Sequence, residues 1–406
     1  MIVSGLHQLY AFKGYRIRKA AFSTDGTLIF LVPDKRFTLR CPHCQGTWLR
    51  RHRTTRQTAL DLPASSSRLV ALEYDAIQIF CIRCKEYRTI HPPGIDPHAQ
   101  ATRRLMVFAS RLARRLPLDH VAEFVPVSHA TLYRWDLAIL ELTLPEPDFG
   151  KADYLLVDEK CIRKKGAGPK FVTLVLNAET GELLSMTEGR KKESLQAFTD
   201  LLTESEAQGI KAVCIDRSGA YYQVIREDLP QADVVFDKFH IVQNFNKVID
   251  EVRREESSKA DKAGLKFIKG QRYNLFRRAE NRTERQSATL EQLLAANKPL
   301  SQVHLLGEQL QIFWTYKYGA WAERYLADWC QWAEESGLKP VMRFAKGIWE
   351  SRAGLVAYFY HRVTNGLMES FNATVQRVMQ RCCGIRNLQY LWLKLRQESL
   401  PCHQQK

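Results

Sequence analysis

The sequence predicts a multidomain protein in which a basic, metal-clipped and partly helical N-terminal region precedes an α/β domain. Three observations carry that expectation: two Cys-x2-Cys pairs at 41/44 and 81/84, a helical pattern broken by Val125-Pro126-Val127, and short apolar runs that end in acids. With 406 residues and 45% hydrophobic composition the chain can bury two or three cores. Its first thirty residues lack a basic-then-apolar leader, and no uncharged apolar run reaches the ~18 residues of a membrane span. A cytoplasmic protein with no membrane partner is expected.

Sixty Lys and Arg against 44 Asp and Glu give a net charge of +16, the sign of a chain that meets phosphate backbones. Residues 1–150 hold 21 Lys/Arg against 13 Asp/Glu, so half of the excess lies in little more than a third of the chain. A separate polyanion-binding module explains that bias; a basic face that keeps the protein soluble is the blander account.

The first expected domain, 1–95, centres on "CPHC" (Cys41, Cys44) and "CIRC" (Cys81, Cys84). Two such knuckles complete a tetrahedral zinc site with Zn–S bonds of about 2.3 Å and no open position, a zinc ribbon that holds structure without doing chemistry. The long spacer contains strand-like sequence, "SRLVALEYDAIQIF", able to return the second knuckle to the first. The alternatives are disulfides, disfavoured inside a cell, and unrelated buried thiols. His43 and His52 could substitute as ligands but are read as surface residues. Cys161, Cys214, Cys330, Cys382, Cys383 and Cys402 form no second four-ligand pattern and are read as core or incidental thiols.

The second expected domain, 96–144, follows the hinge "HPPGIDP". "AQATRRLMVFASRLARR" places Leu105, Phe108, Ala109 and Leu112 on one helical face, with Arg103, Arg104, Arg111, Arg114 and Arg115 elsewhere. Then comes a short helix, Leu118 to Phe124, a break at Val125-Pro126-Val127, and a new helix with Ser128 as N-cap. That is helix-turn-helix spacing, in which the second helix offers Ser128, His129, Thr131 and Arg134 to a major groove.

The third expected domain, 150–406, begins after the Pro-punctuated "LPEPDFGKAD". "YLLVDE" reads as a buried strand ending in Asp158, and "KFVTLVLNAETGELLSMTEGR" as two strands joined by a turn at Ala178 to Gly181. A helix follows from Glu193 to about Ser205, then a strand "KAVCID" ending in Asp216, a helix, and a strand "ADVVFD". This is the element order of an RNase H-like fold, in which the first and fourth strands are parallel neighbours. Asp158 and Asp216 then emerge together at the carboxyl edge, where two acids can hold hard divalent ions. The stretch from about 245 to 357 reads as a largely helical insertion whose tryptophans (Trp314, Trp321, Trp329, Trp332, Trp349) are core, with stacking on unpaired bases as the minor alternative.

A third acid lies far along the chain. In "NGLMESFNATVQRVMQR" Phe371, Val375, Val378 and Met379 share one helical face, while Glu369, Gln376 and Gln380 share the other, with Asn372 one turn beyond Glu369. Glu369 is an isolated acid: between Ser370 and Lys406 six Lys/Arg meet the single Glu398. If this helix borders the sheet edge, Asp158, Asp216 and Glu369 hold two magnesium (or manganese) ions about 3.5–4 Å apart, and Arg377, Arg381 and Arg386 hold DNA phosphates. Glu159, Asp237 and Glu350 are competing acids. The bland account makes all of these ordinary strand-end and helix-surface residues.

The chain resembles the ISL-three family of insertion-sequence transposases, of the DDE superfamily, in "CPHC…CIRC", the 118–140 stretch, "VDEK", "CIDRSGAYYQVI", "DKFHIV" and "TNGLMESFN…GIRN". The resemblance implies that Asp158, Asp216 and Glu369 are the catalytic carboxylates and that Asp237 and His240 are active-site neighbours. "GIRN" departs from the usual aromatic at its second position, where Ile385 is still apolar. It further implies a divalent-metal-dependent DNA transposase that binds the terminal inverted repeats of its element, cuts and joins the ends to target DNA, and works on double-stranded DNA as a homodimer or higher assembly, nucleoid-associated when bound. A non-catalytic DNA-binding repressor derived from a transposase is the rival reading, and an RNase H-like nuclease on RNA-containing duplexes a second.

Overall fold

The computed structural model describes residues 9–10, 12–23, 26–62, 70–163, 170–277, 279–385 and 387–400. Arg386 and Cys402, singled out above, lie outside the described residues. The chain divides into two compact units, one of residues 1–145 with 377–406, the other of residues 146–376. By their contacts the described residues after 376, expected with the α/β domain, group with the N-terminal region, and residues 1–95 and 96–144 share one unit.

The first unit is built on a sheet of seven strands: β1 (Tyr15–Ser23), β2 (Gly26–Pro33), β3 (Leu49–Asp61), β4 (Val70–Cys81), β5 (Glu86–Ile90), β6 (Ile95–Asp96) and β7 (Ala101–Thr102). Their order is β1-β2-β4-β3-β7-β6, with β5 on β4. The expected strand-like run contributes β4, which pairs antiparallel with β3 from Leu49↔Cys81 to Asp61↔Val70. That long hairpin is what brings the second cysteine knuckle back to the first.

β4 changes its buried face midway. Val70, Leu72, Tyr74 and Ala76 enter a core with Ile17, Ile29 and Leu31, whereas Ile77, Ile79 and Cys81 pack on the opposite side against Cys41, Leu39 and Leu49. Because strand side chains alternate between faces, the even positions beyond Ala76 stay on the face of the first core but lie past its residues, opposite the second.

Three helices follow: α1 (Arg103–Ala113), α2 (Leu118–Phe124) and α3 (His129–Thr143). Thr102 caps α1, and fully buried Asp61 accepts hydrogen bonds from Thr102 Oγ1 (2.6 Å) and Arg104 Nε (2.7 Å), joining sheet to helix. Arg104 is therefore a buried-pair partner rather than part of a free basic face. The buried stripe of α1 is Leu105, Met106, Ala109, Ser110 and Ala113, while Phe108 is exposed. The stripe is rotated from the expected one because Ser110 Oγ donates to the buried Asp136 (2.6 Å).

Asp136 gathers a polar knot with the C-terminal helix Leu388–Ser399. Tyr390 OH donates to it at 2.6 Å, and Lys394 Nζ reaches Asp136 (3.1 Å), Ala113 O (3.1 Å) and Gln397 Oε1 (3.2 Å). Asp136 is 1% exposed and Lys394 0%. Breaking a buried pair strands a charge in low dielectric, so partner loss is far more costly than the pair's net worth.

The second unit holds a five-stranded sheet of β8 (Tyr154–Arg163), β9 (Lys170–Asn177), β10 (Leu183–Glu188), β11 (Ala212–Ile215) and β12 (Asp233–Phe236), in the order β10-β9-β8-β11-β12. The first three pair antiparallel, and β11 runs parallel to both β8 and β12. The expected turn is there: Asn177 Oδ1 accepts from the backbone of Glu179 and Thr180, and Gly181 adopts φ +75°. The expected helix 193–205 is instead two, α4 (Lys192–Thr199) and α5 (Glu204–Gly209), because Thr203 and Glu206 form a capping box that starts a new helix. α6 (Gly219–Asp228) links β11 to β12.

The helical stretch starts with α7 (Lys238–Lys259) and runs through the helix Arg352–His361. It shares one continuous apolar core with the sheet, from Leu155 and Val213 to Phe245, Trp329 and Phe359. Gly354 marks the closest approach, since a Cβ there would lie 2.5 Å from the Phe236 ring. Trp314 and Trp329 are core as expected, but Trp321, Trp332 and Trp349 are exposed. Their helices bury one stripe each, and these three fall outside it. Among the described residues no helix is long and apolar enough to cross a membrane.

The buried knot predicts a specific stability signature. Lys394→Met should lower the unfolding free energy by about 3–5 kcal/mol, read by urea denaturation, and adding Asp136→Asn, which removes the stranded charge but keeps an acceptor for Ser110 or Tyr390, should recover part of the loss. Strictly additive losses would show that the two residues are energetically independent.

Candidate active site and metal centre

The parallel register decides which acids meet. β11 pairs with β8 as Ala212↔Tyr154, Val213↔Leu155 and Cys214↔Leu156, and with β12 up to Ile215↔Phe236. Continued to the strand ends, the same offsets bring Asp158, Asp216 and Asp237 to one level at the carboxyl edge. Asp158 does not end its strand, as the sequence suggested. β8 continues to Arg163 because its antiparallel partner β9 keeps pairing after β11 has stopped.

The helix Gly366–Arg381 is tied to this row at two points. Asn365 N donates to Asp237 Oδ1 (3.4 Å), and Asn372 Nδ2 donates to Asp158 Oδ2 (2.6 Å). Glu369 lies between them, four residues after Asn365 and three before Asn372, and so on the helical side that faces the acids. Its backbone N–H bonds Asn365 O (2.9 Å), while its exposed carboxylate has no hydrogen-bond or ion-pair partner among the described residues. The opposite face is buried as expected through Phe371, Val375 and Val378, joined by Met368. Met379 is only partly covered.

Asp237 caps α7 and accepts from His240 N (3.2 Å) and His240 Nδ1 (2.8 Å), while His240 Nε2 lies 3.7 Å from Asp216. The hydrogen bond to Asp237, with Asp216 and Asp158 nearby, raises the His240 imidazole to about 9, so it is a cation at neutral pH. Burial pushes the Asp158 carboxyl above its usual range, against the hydrogen bonds from Glu159 N and Asn372. A half-buried carboxylate that would gain by an added positive charge fits a divalent ion. So does the buried Asn372 Oδ1 beside it, which has no partner among the described residues.

Among the described residues the four cysteines are the one group of three or more His, Cys, Asp or Glu with ligand atoms all within 4.8 Å. The ligand atoms of Asp158, Asp216 and Glu369 thus do not all lie within that distance of one another. Of the competing acids, Glu159 lies 3.9 Å from Arg190, and Glu350 has its electrostatic neighbour in Arg217. Sequence reasoning missed Asn365. It is 1% exposed, both side-chain amide atoms have no partner among the described residues, and its signal was its place in "TNGLMESFN".

The cysteine cluster is compact. Cys41 and Cys84 sulfurs are 3.9 Å apart and Cys44 and Cys81 3.5 Å, close to the edge of about 3.8 Å that a tetrahedron of 2.3 Å Zn–S bonds requires. The knuckles are alike: Gln45 N bonds Cys41 O and Lys85 N bonds Cys81 O, each residue at φ 57°. The Cys44 backbone draws the Cys41 thiol down to about 7, while the neighbouring sulfurs, Cys44 first, push Cys84 up to about 12. Four thiols so close cannot all ionise without a cation, so the donor set fits zinc. His43 is exposed, with Nδ1 3.6 Å from the Cys84 sulfur; His52 hydrogen-bonds Gln78.

Ser128 caps α3 by accepting from Thr131 N (3.2 Å), and Ser128, His129 and Arg134 are exposed, with Thr131 half-buried. Arg377 is exposed. Arg381 is not the free phosphate contact the sequence suggested: its guanidinium is 2.7 Å from Glu398, with both side chains largely covered. Glu398, the single acid after Ser370, is spent on that pair.

In metal-free protein the His240 ring should titrate near pH 9 rather than the usual ~6.5, and Asp237→Asn should lower it, as followed by NMR in chelator. The folded pKa is raised, so this group's stabilisation is full below about pH 6.5 and lost as pH rises through about 9. A ring titrating at its ordinary value would refute the charge assignment.

Comparison with known proteins gives a consistent result. Residues 155–395 match the ISL3 type of DDE transposases. The chain is 31% identical over 397 residues, 96% of itself and 97% of the relative, to the transposase for insertion sequence element IS1001 of Bordetella parapertussis. It is 26% identical over 245 residues, 55% of each chain, to the transposase for IS1557 from two Mycobacterium tuberculosis strains. On the matched span and the near full-length similarity, the chain belongs to the ISL-three transposase family.

Proposed function

We propose that the protein is an active DDE transposase with an RNase H-like catalytic core, cutting the ends of its own insertion element and joining them to target DNA. The observation that carries this reading is the shared level of Asp158 and Asp216, with Glu369 bracketed by the Asn365–Asp237 and Asn372–Asp158 hydrogen bonds. Asp158, Asp216 and Glu369 are the residues that would hold two magnesium or manganese ions. When bound, such ions supply Lewis-acid activation of the attacking oxygen and stabilisation of the leaving oxygen in an in-line displacement.

The chain's own residues prepare that site. Asn372 fixes one Asp158 oxygen and the Glu159 N–H the other (2.7 Å), which orients the carboxylate. Protonated His240 moderates repulsion between Asp216 and Asp237, which are acid neighbours in the row. Asp237 sets the start of α7 and the entry to the helix carrying Glu369, and is a positioning residue. No protein nucleophile is needed.

The N-terminal region supplies recognition. The zinc-held ribbon (Cys41, Cys44, Cys81, Cys84) gives rigidity, and α3 acts as reader helix of a helix-turn-helix, offering Ser128, His129, Thr131 and Arg134 to double-stranded terminal repeats. Arg377 contributes charge toward phosphates. Two ends must be joined, so a homodimer or higher assembly on DNA follows, in the bacterial cytoplasm at the nucleoid.

Asp158→Asn, Asp216→Asn and Glu369→Gln should each cut metal-dependent end cleavage by about 10²–10³-fold or more while leaving terminal-repeat binding unchanged. Arg134→Ala should weaken that binding by about 1–3 kcal/mol with the core intact. Cleavage on plasmid-borne ends and electrophoretic binding assays separate the two. An unmutated protein that binds ends but never cuts them with Mg2+ or Mn2+ would favour the repressor reading.

A further inference from the structure

The even face of β4 is covered by core up to Ala76, and on its continuation beyond, among the described residues, Gln78 and Phe80 are half-buried and belong to neither core. On that continuation the register lines up Arg50, Phe80 and Tyr87 across β3, β4 and β5 (Arg50↔Phe80, Phe80↔Tyr87). One row on, Ile82 N bonds Trp48 O (3.1 Å), which extends the ladder and puts Trp48 and Ile82 beside them. In the other direction lie Gln78 with Arg53 and Thr89. The register shifts between Arg51 and Arg53, so His52 is the extra, bulged residue; its ring hydrogen-bonds Gln78 (3.0 Å) and meets Tyr87 edge-on at 5.1 Å.

This face has an unusual make-up. Trp48 is 75% exposed and Tyr87 57%, with Ile82 also exposed. Phe80 props Tyr87 from below, edge-to-face at 5.1 Å. The side chains of Arg50 and Arg53 are exposed with no hydrogen-bond or ion-pair partner among the described residues, and no carboxylate stands in these rows. Exposed aromatics alone suggest protein contact, and arginines alone suggest any polyanion. Together, on a rigid sheet held from behind by the four cysteines, they match bases that stack and phosphates that pair. Duplex DNA hides its base faces, so the ligand chemistry is an unpaired strand. Edge-to-edge pairing with another sheet is opposed by the bulge and the arginines.

We propose that the open face of β3–β4–β5, through Trp48, Tyr87, Arg50 and Arg53, binds unpaired single-stranded DNA, separately from the duplex read by α3. This deepens the reading of the N-terminal region as DNA-binding and rests on it. Its place in the reaction is wherever end processing exposes a strand without its complement.

The test uses zinc-loaded full-length protein, a labelled oligothymidylate and a labelled duplex terminal repeat, with binding followed by fluorescence anisotropy. Trp48→Ala and Tyr87→Leu should each weaken oligothymidylate binding by about 5- to 150-fold. Tyr87→Phe should retain it, and duplex binding should hold while zinc content stays unchanged. Arg50→Ala and Arg53→Ala should weaken binding and lower its salt dependence. Arg134→Ala should do the reverse, impairing the duplex alone. Oligothymidylate binding untouched by Trp48→Ala and Tyr87→Leu, or absent from a protein that binds the duplex, would overturn this proposal alone. Failure to bind either probe would overturn the wider DNA-binding reading as well.

Discussion

The second unit is organised around a row of like charges. Parallel strands about 4.8 Å apart deliver Asp158, Asp216 and Asp237 to one level, where neighbouring carboxylates at ~5 Å repel by about 3 kcal/mol per pair at an effective dielectric of 20. The surrounding residues answer that repulsion in part. His240 sits between two of the acids as a cation, and Asn372 with a backbone N–H holds the third. What remains is a surplus of negative charge at a defined spot, which is what a site for hard cations consists of.

The helical segment after β12 is part of the same solution. α7 begins on the Asp237 cap, and the helices behind it return through Arg352–His361, whose Gly354 lets backbone lie against Phe236. The chain is thereby back at the sheet edge when it reaches Asn365, ready to start the helix that carries Glu369. A long helical excursion sharing the sheet's core is a rigid spacer, and its length matters less than where it ends.

The first unit solves a different problem. Its sheet continues past its first apolar core, and at the far end Ile77 and Ile79 pack with the cysteines on the opposite face. The four cysteines gather on that face, and the other presents the exposed Trp48, Ile82 and Tyr87. The helices of the same unit are tied to the C-terminal helix by Asp136 and Lys394, a buried pair whose geometry admits few alternative partners.

Much of this was written in local sequence. The Cys-x2-Cys spacing, the Ser128 cap, the hairpin at Asn177–Gly181 and the apolar runs before Asp158 and Asp216 are short-range signals, and each depends on neighbours a few residues away. Tertiary structure alone decided the rest. Whether Arg381 meets phosphate or Glu398, whether Trp321 is core or surface, whether Asp237 reaches the row, and how β4 exchanges its buried face at Ala76 all depend on partners many residues distant. Amphipathic patterns say that a residue has a side, and only the packed chain says what stands opposite it.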